Sequence, residues 1–85
     1  MTESLLQHEI DRHLDAIDGE LTSRSRIVDA LLDLRLAGGE HTVFVAAIDA
    51  ALTDIPGRST VTNAWWMTSL ADLRELLGTA HAAAR

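Results

Sequence analysis

The sequence predicts a small all-α fold, an antiparallel bundle of three to four helices. Three observations lead there. Apolar residues recur at three- and four-residue spacing in four stretches, the mark of amphipathic helices. Those stretches are separated by Gly19, by Gly38-Gly39 and by Pro56-Gly57, residues that stop helices. The connections between them are short, and short loops set consecutive helices antiparallel. The approximate helices are 3–18, 22–37, 42–55 and 60–77 in a single domain of residues 1–85, with a tail over 78–85 expected to fray.

In the first helix Leu6, Ile10, Leu14, Ile17 and Leu21 form one narrow stripe, with Asp11, Arg12 and Asp15 on the opposite side. Gly19, Thr22, Ser23 and Ser25 are mediocre or poor helix formers, which places a break near Gly19–Thr22. The alternative is one long helix over 3–36, because the stripe stays in phase through Leu21. In the second helix Ile27, Val28, Leu31 and Leu34 turn inward, while Arg26, Asp29 and Asp33 turn outward. Gly38-Gly39 ends it, since glycine takes the left-handed conformation of a C-cap without penalty. The third helix carries Phe44, Ile48, Ala51, Leu52 and Ile55, with Thr42 as candidate N-cap and Pro56-Gly57 as terminator. The fourth buries Trp66, Leu70, Leu73 and Leu77, and Ser59, Thr60 or Thr62 is its candidate cap.

A chain of 85 residues buries a modest share of its surface, about 60–65% for a domain of this size. At 47% hydrophobic it has enough apolar mass for a packed core and too much for a disordered tail. The core is nevertheless thin in aromatics, with Phe44, Trp65 and Trp66. Dimerisation hides leftover apolar surface, so a homodimer through helix faces is expected. The net charge is −6 and every basic residue is Arg, which argues against nucleic acid and against anionic membranes as partners. There is no Cys, hence no disulfide and no thiolate chemistry. The first residues show neither a basic leader nor a long apolar segment, and the longest uncharged run, 59–71, is too short to span a bilayer. A cytoplasmic location is expected.

Two groups of residues look costly for folding alone. Arg24 and Arg35 fall near the centre of the apolar face set by Leu31, about 16 Å apart along a continuous helix. Buried guanidinium groups need carboxylates or a ligand anion, although both can snorkel to water from the helix ends. Trp65 and Trp66 point about 100° apart, so the two rings cannot share one pocket. Trp66 belongs to the core stripe, whereas Trp65 lies with Ser69, Asp72 and Leu76 on a mixed strip that makes a candidate interface.

Other patterns carry less. His8, Asp11 and Asp15 have helical metal-ligand spacing but read more simply as exposed polar surface, and His13 reads as a core-edge ring. No Ser or Thr has a nucleophile signature, and the 62–67 segment lacks the basic residues of a recognition helix. No catalytic, cofactor or metal residues are assigned. The phrase Glu9-Ile10-Asp11-Arg12-His13-Leu14-Asp15-Ala16-Ile17-Asp18 resembles the first helix of the small all-helical chorismate mutases. That resemblance implies a helical dimer that binds a dicarboxylate through arginines and a lysine. The chain departs from the pattern in having no Lys and in breaking the helix between Gly19 and Ser25. The expectation is therefore a non-enzymatic, self-associating protein-interaction or regulatory domain. The alternative is a small enzyme or carboxylate-binding protein that uses Arg24 and Arg35.

Overall fold

Six elements follow one another along the chain: α1 (Glu3–Ala16), β1 (Leu21–Ser23), α2 (Arg24–Gly38), α3 (Thr42–Asp54), β2 (Thr60–Thr62) and α4 (Asn63–Ala83). They are seen in a computed structural model that describes residues 3–83, with side chains described from Leu5 to Gly78. Each helix packs on its neighbours in a ring, α1 on α2, α2 on α3, α3 on α4, and α4 back on α1. Cross-helix pairs fix the directions. Asp11 meets Arg74 and His13 meets Trp66, so α1 and α4 run antiparallel; Arg35 meets Asp49 and Arg24 meets Pro56, so α2 and α3 do too. The fold is the small helical bundle that the apolar spacing predicts.

Its core holds Leu6 and Ile10 of α1, Ile27, Leu31 and Leu34 of α2, Phe44 and Ile48 of α3, and Trp66, Leu70, Leu73 and Leu77 of α4. Gly38 sits where α2 and α3 approach most closely. A Cβ there would lie 2.7 Å from the Phe44 ring, so Phe44 reaches the core across a residue with no side chain. Gly39 follows at φ 55°, and its N–H donates to the Leu36 carbonyl to close α2.

The two strands are the main departure from an all-helical expectation. Residues 17–23 and 55–62, the connections at one end of the bundle, pair through a short antiparallel ladder in which Thr22 faces Val61. The helix expected over 3–18 ends at Ala16, and the single helix over 3–36 does not form. Leu21 consequently leaves the core stripe and is 55% exposed. The helices expected from 22 and from 60 start instead at Arg24 and Asn63, because Leu21–Ser23 and Thr60–Thr62 are extended. Thr42 is the first residue of α3 rather than its cap. His41 caps it, with Nδ1 accepting the Phe44 N–H at 3.2 Å. Helix α4 continues through Ala83, past the end expected at 77; residues 84–85 of the expected tail lie outside the described residues. No helix of the described residues is long and apolar enough to cross a membrane.

Asn63 ties this end together. It is 3% exposed, and its side-chain amide donates to the Asp18 and Gly19 carbonyls at 3.1 and 2.9 Å. Its Oδ1 accepts from the Thr22 hydroxyl, and its backbone N–H donates to the Glu20 carbonyl at 2.8 Å. A buried amide is costly unless satisfied, and here each of its donors and its acceptor has a partner.

Candidate functional site

Helix α4 starts with Thr62 as cap, its hydroxyl accepting the Trp65 N–H at 3.4 Å. That fixes the first turn, which carries both tryptophans. Trp66 enters the core with Leu70, Leu73 and Leu77 and lies beside the tilted His13 ring, centroids 6.4 Å apart. Trp65 is half-buried and turns towards α3.

There it lines a groove of about 420 Å³ between α3 and α4. Helix α3 contributes Ala47, Ala50, Ala51 and Asp54; α4 contributes Trp65, Ser69, Asp72, Leu73 and Leu76. The geometry thus gathers Trp65, Ser69, Asp72 and Leu76, the strip singled out by helical phase, on one wall. The cause of the opening is side-chain size. Alanines on α3 reach too little far across the seam to fill the space beside Trp65 and Leu76.

Three carboxylates outside the groove are paired with arginines. Asp49 accepts from Arg35 at 2.8 Å, Asp11 from Arg74 at 2.7 Å and Glu9 from Arg12 at 2.7 Å. Asp54 and Asp72, like Asp15, Asp18, Asp29 and Asp33, have no ion-pair partner among the described residues, and no residue lining the groove is basic.

Arg24 and Arg35 are not brought together. Arg24 is part-buried and its Nε donates to the Pro56 carbonyl at 3.1 Å, fastening the start of α2 to the end of α3. Arg35 is exposed and forks onto Asp49, with contacts of 2.8 and 3.4 Å. The hydrogen bond that Arg35 donates to Asp49, and then the Asp49 charge, raise the Arg35 pKa above its ordinary value. A second cavity, of about 380 Å³, opens between α1, β1 and α2 beside His13, Asp18, Thr22, Arg26 and the edge of Trp66, and includes neither Arg24 nor Arg35. The His8–Asp11–Asp15 spacing makes no metal site, since Asp11 turns to Arg74. Among the described residues no group of three or more His, Cys, Asp or Glu is placed to hold a metal ion.

Sequence reasoning missed Asn63 and the His41 cap. A signal for Asn63 existed in the run Ser59-Thr60-Val61-Thr62-Asn63, whose β-branched residues favour extended backbone. No protein-family model matches the chain, and no curated protein or solved structure shows significant similarity to it.

Proposed function

We propose that the chain acts by binding protein, as a small helical interaction or regulatory module, and that the α3–α4 groove is its docking face. One observation carries this reading. A tryptophan, the residue type most favoured as an interface anchor, stands half-buried in a groove left open among the described residues. The shape supports a helical ligand, because alanines on one wall let a third backbone come close. Ser69 and the two aspartates provide a polar border around the apolar floor, the usual anatomy of such contacts.

The test is site-specific photocrosslinking in cells with a photoreactive residue at Trp65, compared with one at Asp29 on the outward face of α2. A discrete protein adduct from position 65 and none from position 29 is the expected result. Adducts equally abundant from both positions, or from neither, would remove the groove as a docking face. An adduct of twice the 9.2 kDa chain mass would assign the second copy as the partner.

A further inference from the structure

The groove's chemistry narrows what occupies it. We infer that its partner is a cationic amphipathic helix, with an apolar stripe seated between α3 and α4 and Lys or Arg residues flanking it. This inference rests on the docking reading above.

Three features select for positive charge. Asp54 and Asp72 border the apolar floor as exposed carboxylates with no ion-pair partner among the described residues. A partner cation placed there gains an ion pair without breaking one. Trp65 adds a π face, which attracts Arg or Lys more than any other side chain. The groove walls contain no basic residue, so an acidic or phosphorylated partner would meet only like charge.

Length agrees with a helical ligand. The wall from Trp65 to Leu76 extends about 16 Å along α4, roughly three turns of a partner helix. The small side chains of Ala47, Ala50 and Ala51 leave room for that helix to lie alongside α3.

A second copy of this chain fits less well. A two-fold interface presents the same patch from both subunits. Asp54 and Asp72 of one copy would then share the seam with Asp54 and Asp72 of the other, with no groove arginine to offset them.

The experiment uses the full chain and two synthetic peptides of about 18 residues, long enough to form a helix. Both carry the same Leu/Ala stripe, one flanked by Lys and the other by Glu. Labelled-peptide anisotropy at physiological salt reads affinity for the wild type, for Trp65→Ala, for Asp54→Asn/Asp72→Asn, and for Asp15→Asn/Asp29→Asn. The last pair changes net charge equally at exposed sites away from the groove.

The Lys peptide is expected to bind and the Glu peptide not to bind. Asp54→Asn/Asp72→Asn should weaken the Lys peptide about three- to tenfold. Asp15→Asn/Asp29→Asn should leave it unchanged. Equal weakening by both double variants would reduce the effect to net charge and overturn the inference. Equal, Trp65-dependent binding of the two peptides would keep the groove as a docking face and overturn its cationic preference. Failure of both peptides to bind would overturn the inference, leaving crosslinking from position 65 to judge the groove itself. Sedimentation that shows a dimer in the wild type and a monomer in Trp65→Ala would name the second copy as occupant, overturning it as well.

Discussion

Helix α4 presents adjacent tryptophans to two seams that were built differently. On the α1 side Trp66 is 4% exposed and lies against His13, and outside it the Arg74 Nε donates to Asp11 at 2.7 Å. On the α3 side Trp65 is half-buried over alanines, and the nearby Asp54 and Asp72 hold no arginine. Both rings sit in the same capped turn, so local backbone does not explain the contrast. What differs is the opposing wall. Trp66 meets the His13 ring of α1 and borders the 380 Å³ cavity only at its edge, being 4% exposed, whereas the wall beside Trp65 is made of Ala47, Ala50 and Ala51 of α3. The seam at Trp66 is closed over its ring, and the one at Trp65 is an open groove.

The largest expected effect tests the closed seam. Trp66→Ala empties a core site and should cost about 3–5 kcal/mol. Small domains have about 5–15 kcal/mol in total, so urea denaturation should show a steep loss of midpoint. A cost under about 1 kcal/mol would mean that Trp66 packs no more tightly than its neighbour.

Much of this contrast was legible in the sequence. Trp66 falls in helical phase with Leu70, Leu73 and Leu77, and Trp65 with Ser69, Asp72 and Leu76, so the two faces of α4 separate on spacing alone. The end of the bundle was not legible in the same way. Leu21–Ser23 and Thr60–Thr62 are too short to show a period of two, and their Ser and Thr residues resemble helix caps. Their pairing depends on contacts across about forty residues of chain, which local propensity does not encode. The same limit applies to Arg24 and Arg35. Helical phase brings both to the apolar side of α2, yet their acceptors, the Pro56 carbonyl and Asp49, belong to a different helix and its exit.

Asn63 offers an effect of intermediate size at the end where both seams begin. Asn63→Ala removes the donors to the Asp18 and Gly19 carbonyls and the acceptor for Thr22. The expected cost is about 1–3 kcal/mol, from buried polar groups left unpaired. Amide hydrogen exchange should accelerate first at Thr22 and Asn63, while the α2–α3 contact around Gly38 and Phe44 stays protected. Uniform acceleration across all four helices would show that this clasp is not a separate unit of stability.

Trp65→Ala sharpens the comparison directly. The ring is only half-buried on an open groove, so its removal should cost about 1 kcal/mol, well below the value for Trp66. Thermal melts of the two variants measured together give the ratio. Equal destabilisation would make Trp65 a core residue and close the case for the groove.

The smallest effect concerns the clasp across the α1/α4 seam. The Arg74 and Asp11 side chains are 52% and 44% exposed, so their pair is solvated and screened. Arg74→Gln keeps most of the side chain's bulk and removes its charge. The expected loss is under about 1 kcal/mol at low salt and should vanish in about 1 M salt, where the screening length falls to about 3 Å. A loss above about 2 kcal/mol that high salt abolishes would mean that the seam is held by the ion pair. The difference between the two faces of α4 would then lie in charge, with Asp72 lacking what Asp11 has, rather than in the size of the residues opposite the tryptophans.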